Sequence, residues 1–219
     1  MHRGKFRDSC LYVIRRCARF LCLLAFRLRS RGPGNVPRTG GVLLAVNHQS
    51  YLDPLLVAAC VDRAVYFMAR KSLFKNFMFG ALIRFLGAFP VERDQADTRS
   101  VRLAIDLLRG GNVVLVFPEG TRTRDGRIGA MKKGIGMLAR KSGAAIVPTL
   151  LDGAFEAWPR TAALPAPVPI SVGFGKPIAL CAFATDEDLA QGVQEALVGM
   201  QENLSRTRDP VVPRPCGSE

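Results

Sequence analysis

Residues 41–54 have the sequence GVLLAVNHQSYLDP, in which an apolar run leads directly into a polar turn. The run over 41–46 is short and unbroken, which is typical of a strand buried on both faces. His48 follows it almost at once, and Asp53 comes five residues later. Ser50 favours a helix start as the N-cap of a capping box, with Asp53 at the third helical position and facing back toward His48. The stretch therefore predicts a strand, a turn that carries His48, and a helix.

His48 and Asp53 are suited to proton transfer if the fold brings them together. Histidine titrates near neutral pH, and a carboxylate beside it can hold one ring tautomer and stabilise the imidazolium that forms. An isolated pair at this spacing also occurs as an ordinary cap beside an ordinary polar residue. The catalytic interpretation therefore depends on the rest of the chain.

Strand-like and helix-like segments alternate along most of the sequence. Such alternation predicts an α/β fold with a central, mostly parallel or mixed sheet flanked by helices. The expected strands are 41–47, 64–69, 88–92, 112–117, 144–150 and 169–174, and the expected helices are about 51–60, 72–86, 95–109, 131–142 and 186–204.

The net charge of the 219-residue chain is +13, and residues 1–36 hold nine basic residues against one acidic residue, a net of +8. Residues 11–28 have the pattern of an amphipathic helix with arginines on one side. Their longest apolar run, 20–26, is far shorter than the about 20 residues that a membrane span needs. We expect this helix to lie in the interface of an anionic membrane, on the cytoplasmic face of the inner or plasma membrane. The alternative is that it packs on the core with its arginines in solvent.

The turn-rich residues 31–37 separate a basic membrane-interface helix and linker (1–34) from a main domain (35–204), and residues 205–219 are expected to form a flexible tail.

Two histidines and six cysteines without C-x-x-C spacing predict no metal site. Five phenylalanines fall between 74 and 89. We interpret them as core, with an acyl-chain groove or a second membrane-facing surface as alternatives.

Three further blocks each end or interrupt an apolar segment. The sequence FPEGTR, residues 117–122, follows an expected strand, and the end of such a strand is where open α/β sheets place ligands. Arg122 offers a planar fork for phosphate oxygens. The sequence GAFPVER, residues 87–93, again places an arginine beyond an apolar segment. Pro148 interrupts an expected strand, which predicts a sheet edge, a bulge or a strand end.

These four blocks, in this order and spacing, resemble those of the glycerolipid acyltransferase family, whose best-known members are the 1-acylglycerol-3-phosphate acyltransferases. The resemblance covers roughly residues 35–180, and the first and third blocks are the specific ones. It implies that His48 is the general base and that Asp53 orients it. Pro148 matches a position that shapes the acyl pocket or the fold. The positions implied to bind substrate are Asn47, Arg93, Glu119, Gly120, Thr121 and Arg122.

The resemblance implies transfer of a fatty acyl group from an acyl thioester to the free hydroxyl of 1-acylglycerol-3-phosphate, forming phosphatidic acid without a bound cofactor. The donor is acyl-coenzyme A or acyl-acyl carrier protein, and the expected partner surface is anionic membrane lipid. Pro90 and Glu92 depart from the usual second block, which leaves another acceptor open, such as a lyso-ornithine lipid or another lysophospholipid. A non-enzymatic basic protein that binds membrane or nucleic acid is the remote alternative, but the chain has no nucleic-acid recognition motif.

Overall fold

Seven strands form one mixed sheet in the computed structural model, which describes residues 13, 14, 17, 20–92 and 98–208. Their order across the sheet is β1-β7-β6-β2-β5-β3-β4. β7 runs antiparallel to β6, and the other pairings among these strands are parallel. The predicted mixed sheet is therefore confirmed. The strands are β1 (Arg29–Arg31), β2 (Val42–Val46), β3 (Val65–Arg70), β4 (Ala88–Val91), β5 (Val113–Val116), β6 (Ala145–Asp152) and β7 (Ser171–Phe174).

Helices cover both faces of the sheet. The central strand β2 alternates between two apolar clusters, because Val42 and Leu44 pack on one face and Leu43 on the other. This explains why its sequence is apolar without interruption. The helices are α1 (described over 20–26), α2 (Asp53–Ala59), α3 (Phe77–Phe85), α4 (Thr98–Arg109), α5 (Gly134–Ser142), α6 (Ala154–Ala157) and α7 (Asp186–Arg208).

Pro148 lies within β6, opposite Ala45 of β2, and not at an edge, bulge or strand end as predicted. The N–H of Ala145 donates to the carbonyl of Gly41 and so points toward β2. Because the N–H direction alternates along a strand, the nitrogen of Pro148, three residues later, points away from β2. Pairing with β7 begins only at Thr149. The missing donor of Pro148 therefore interrupts no bond of either ladder.

The apolar side predicted for the segment 11–28 is exposed over most of its described residues, although Leu28 at its end is buried in the core. Phe20, Leu21 and Leu24 are exposed, whereas Cys22 and Phe26 pack into the core. The helix therefore packs on the core through Cys22 and Phe26, as the alternative expected, but leaves Phe20, Leu21 and Leu24 exposed. Within the described part of the chain, no helix is long and apolar enough to cross a membrane. All the lysines and arginines before position 20 lie outside the described residues. The flexible tail predicted to begin at 205 is wrong for 205–208, because α7 continues to Arg208, and the residues from 209 onward lie outside the described residues.

The boundary expected at residue 34 does not separate two packing units. β1 precedes it and pairs with β7, so the N-terminal segment contributes a strand to the sheet.

The phenylalanine-rich segment is divided between core and surface. Phe89 of β4 is buried, as the core interpretation requires. In α3, however, burial is confined to Gly80 and Ile83, and the large side chains around them are exposed. The core interpretation is therefore wrong for α3.

Candidate active site

His48 and Asp53 meet in the turn between β2 and α2, as the sequence predicted. Their side chains are 2.8 Å apart, from Nδ1 of the imidazole to Oδ2 of the carboxylate. Because an ionised carboxylate only accepts hydrogen bonds, this contact places the proton on Nδ1 and leaves the lone pair of Nε2 to take a proton from a substrate. The Asp53 side chain is fully buried, whereas that of His48 keeps 11% exposure.

Asp53 also holds the turn itself together. Its carboxylate accepts the N–H of Gln49 at 2.6 Å, the N–H of Ser50 at 2.9 Å and the hydroxyl of Ser50 at 2.8 Å. The predicted capping box is half formed. The acid reaches back to the N–H of Ser50, but α2 begins at Asp53 itself with Leu52 as its cap, and the Ser50 hydroxyl accepts the N–H of Leu52. The backbone N–H groups of Gln49 and Ser50 and the hydroxyl of Ser50 thus all point at the carboxylate that holds His48.

Glu119, in the loop after β5, braces His48 from the other side. One carboxylate oxygen accepts the N–H of His48 at 2.9 Å, and the other accepts the N–H of Gly129 at 3.1 Å. Burial raises the pKa of Glu119, although these two hydrogen bonds act in the opposite direction. The N–H of Thr123 donates to the carbonyl of His48 at 2.8 Å. The first and third blocks therefore form one site.

Aromatic rings support the two functional side chains. Phe117 stacks on the imidazole of His48 with ring centroids 3.8 Å apart. The guanidinium of Arg122 lies 3.5 Å above the ring of Tyr51, which in turn leans against Trp158 with centroids 5.6 Å apart. These contacts restrict both side chains to one orientation.

Arg122 keeps an unused donor. Its Nη1 is buried and has no hydrogen-bond partner among the described residues. A buried guanidinium nitrogen without a partner is costly, and a phosphate oxygen is the ligand that would satisfy it best. Gly120, at φ +75°, makes the tight turn beside it, and the Lys132 ammonium lies close to where a Gly120 Cβ would be. The site is therefore prepared for an anion.

The remaining predicted residues are placed less uniformly. Asn47 is buried, and its amide both donates to and accepts from the backbone of Leu151, which ties the end of β2 to β6. Thr121 is exposed beside Arg122. Arg93 lies outside the described residues. Contacts of these three residues with substrate stay predictions.

The sequence reasoning missed the aromatic supports Phe117, Tyr51 and Trp158. Phe117 and Tyr51 lie inside the quoted blocks, so their position beside a catalytic candidate was an available signal. Trp158 comes from a distant loop, and no pattern in the sequence connects it with Tyr51.

Comparison with known proteins places this geometry in a family. The Acyltransferase family model matches residues 27–152, which include both blocks of the site and Pro148. The 1-acyl-sn-glycerol-3-phosphate acyltransferase of Bacillus subtilis is 32% identical over 120 residues, which are 54% of this chain and 59% of the relative. A chloroplastic 1-acyl-sn-glycerol-3-phosphate acyltransferase of Arabidopsis thaliana is 32% identical over 139 residues, 61% of this chain and 38% of the relative. The chain thus matches between about two fifths and three fifths of the length of these relatives.

A solved structure agrees over a larger share. The crystal structure of the 1-acyl-sn-glycerophosphate acyltransferase PlsC from Thermotoga maritima superposes with a TM-score of 0.79 and 28% identity. The match covers 93% of this chain and 84% of that protein. Because the family model covers more than half of the chain and the fold agrees with it, this chain belongs to the acyltransferase family.

Proposed function

We propose that this protein transfers a fatty acyl group from an acyl thioester to the hydroxyl of 1-acylglycerol-3-phosphate, which forms phosphatidic acid. One observation carries the proposal. A His–Asp pair with an available Nε2 belongs to the same site as the half-buried Arg122, whose buried Nη1 has no partner among the described residues. The first suits removal of a hydroxyl proton, and the second suits a phosphate on the same acceptor.

The reaction needs one proton acceptor. Nε2 of His48 takes the proton of the acceptor hydroxyl while the oxygen attacks the thioester carbonyl. The tetrahedral intermediate collapses, the carbon–sulfur bond breaks, and the thiolate leaves with the proton that His48 then returns. Asp53 stabilises the imidazolium between these steps.

Direct transfer, without a covalent acyl-enzyme, is supported by the position of Ser50. This serine is buried, and its hydroxyl donates to Asp53, not to His48. A nucleophilic serine would need the imidazole within hydrogen-bonding distance of its hydroxyl.

The identity of the acceptor is supported by the relatives, which are named 1-acyl-sn-glycerol-3-phosphate acyltransferases. The donor is acyl-coenzyme A or acyl-acyl carrier protein, both of which are acidic and suit a chain with a net charge of +13. We place the enzyme at an anionic membrane surface, on the cytoplasmic face of the inner or plasma membrane. The exposed side chains of Phe20, Leu21 and Leu24 in α1 support the membrane contact.

The test measures thiol release from an acyl-coenzyme A by the wild-type protein and by His48→Ala, with and without 1-acylglycerol-3-phosphate, together with the lipid product. We expect release that needs both the acceptor and His48, with phosphatidic acid formed. His48→Ala should lower the rate by about 10²–10⁴-fold. A variant that keeps most of the wild-type rate would refute the role of His48. Release with an acceptor that lacks the phosphate, at an equal rate, would refute the proposed acceptor class.

A further inference from the structure

α3 carries an exposed apolar surface that the site does not use. Its most exposed members are Phe77 at 87%, Met78 at 81% and Leu82 at 53%. An exposed cluster of large apolar side chains marks a surface that is covered when the protein works. We call this set, Phe77, Met78, Phe79, Leu82 and Phe85, the α3 patch.

The α3 patch begins near the carboxyl ends of β2 and β3, where the active site lies. Phe67 of β3 is level with Leu44 of β2 through β5, so Arg70 at the end of β3 is level with Asn47. Two strand spacings separate them, about 10 Å. The short helix over Lys71–Phe74 leads from this point directly into α3.

α1 lies at the same level as the carboxyl ends of β2 and β3, but on the opposite side of the sheet, next to β1. Asp152 at the end of β6 pairs with Ser171, and Ser171 pairs with Arg29 at the start of β1. Because β1 runs against β2, the residue where α1 joins the sheet lies at the edge that carries His48. Five strand spacings, about 24 Å, separate β1 from β3. Two exposed apolar surfaces therefore flank the site on opposite sides.

The charge around the α3 patch indicates what covers it. Residues 70–85 contain four basic residues, Arg70, Lys71, Lys75 and Arg84, and no acidic residue. All four are exposed; Lys71 pairs with Glu92, and the guanidinium of Arg84 lies over the ring of Phe74. Apolar side chains bordered by basic ones match the boundary between acyl chains and anionic headgroups. A second copy of this chain would oppose four positive charges with four more.

From these observations we infer that the α3 patch inserts into an anionic phospholipid surface and forms a second membrane contact, across the active site from α1. The two contacts together hold the edge of the sheet with His48 against the headgroups. The inference rests on the proposed function for its biological reason, because a lipid acceptor resides in that surface, but its test does not require turnover.

The first test is flotation of the full chain with vesicles of phosphatidylcholine alone and of phosphatidylcholine with phosphatidylglycerol in equal parts. The test variant is Phe77→Ser/Met78→Ser, and its control is Leu103→Ser, which removes an exposed leucine of α4. We expect the double variant to partition at least about tenfold more weakly, because two large side chains lose their burial, and the control to bind as the wild type does. Equal binding by the double variant would overturn the inference.

The charge requirement has its own matched pair. Lys75→Glu alters a basic residue beside the α3 patch, whereas Lys176→Glu makes the same change just after β7, at the opposite edge of the sheet. Lys75→Glu should weaken binding to the anionic vesicles and leave the weaker binding to neutral vesicles unchanged. If both variants weaken binding to the anionic vesicles equally, the effect comes from the total charge of the protein, and a local contact at the α3 patch is refuted.

A depth measurement identifies the occupant. The tryptophan fluorescence of Phe77→Trp should be quenched by lipids brominated on their acyl chains more strongly than that of the wild type, which reports Trp158. The fluorescence of Leu103→Trp should be quenched no more than that of the wild type. A shift from dimer to monomer in the serine double variant, without loss of vesicle binding, would assign the α3 patch to a second copy instead.

Turnover separates this inference from the proposed function. With short-chain, water-soluble donor and acceptor, the serine double variant should keep the wild-type rate; an equal loss there would assign the α3 patch to the acyl site. If the wild type does not turn over but the double variant still loses vesicle binding, the membrane contact stands and the proposed reaction fails.

Discussion

Removing the Asp53 carboxylate should damage folding far more than removing the His48 ring. In Asp53→Ala the buried N–H groups of Gln49 and Ser50 both lose their acceptor. Each unsatisfied buried donor costs about 1–3 kcal/mol, so the two together cost roughly 2–6 kcal/mol. This is a large part of the about 5–15 kcal/mol that stabilises a typical domain.

His48→Ala leaves those bonds in place. The Asp53 carboxylate loses one hydrogen-bond partner of four, and Phe117 loses the ring that stacks on it. We therefore expect the unfolding free energy to fall by about 1 kcal/mol. Both variants should nevertheless lose about 10²–10⁴-fold in rate, because each removes half of the proton-transfer pair. Asp53→Asn keeps one acceptor oxygen and should be intermediate in stability.

Urea unfolding followed by far-ultraviolet circular dichroism measures the free energies, and thiol release measures the rates. An Asp53→Ala protein whose unfolding free energy stays within about 1 kcal/mol of the wild type would refute the carboxylate as the clamp of the turn. Equal destabilisation by His48→Ala would refute the separation of the two roles.

Two other variants test the rest of the site, and a third tests the turn between α3 and β4. Arg122→Lys should raise KM for the phosphorylated acceptor more than it changes kcat, because an ammonium cannot reproduce the fork; equal KM values would argue against a phosphate contact. Burial raises the pKa of Glu119 above its ordinary value of 4.5, so the contribution of this carboxyl to folding is fully present below pH 4.5 and is lost as the pH rises through the folded-state pKa. The wild type should therefore lose unfolding free energy relative to Glu119→Gln between pH 4 and pH 7, as measured by urea unfolding. A relative gain by the wild type over this range would contradict the burial of this carboxyl. Gly87 has φ +101°, and a Cβ there would lie 2.5 Å from the carbonyl oxygen of Val65, so Gly87→Ala should lower the unfolding free energy by about 1–3 kcal/mol; an unchanged melting midpoint would count against that backbone geometry.

The local patterns predicted the elements well because their causes are local. An unbroken apolar run such as Val42–Val46 must be buried on both faces, and the turn after it has few ways to satisfy its donors. The three residues of β1 carry no apolar signal, since this strand is held by its backbone bonds to β7. Local sequence could not predict it.

The surface of α3 could not be predicted for a different reason. Apolar composition states that a side chain avoids water, but not whether protein or lipid replaces it. Phe77 and Met78 therefore looked like core residues, although α3 turns them outward. The contact of Trp158 with Tyr51, the ring beneath Arg122, was equally hidden, because it depends on how a distant loop packs.

The pairing of β1 with β7 has a consequence for how the chain matures. Arg29 and Ser171 are partners in the sheet, yet 142 residues separate them along the chain. At about 5–20 residues per second, a ribosome needs roughly 7–30 s between making one and the other. During that interval α1 is already synthesised while its strand has no partner, so the helix is free to reach a bilayer before the sheet closes. For the membrane contact that we propose for α1, late pairing of β1 with β7 leaves time for that contact to form while the chain is still being translated.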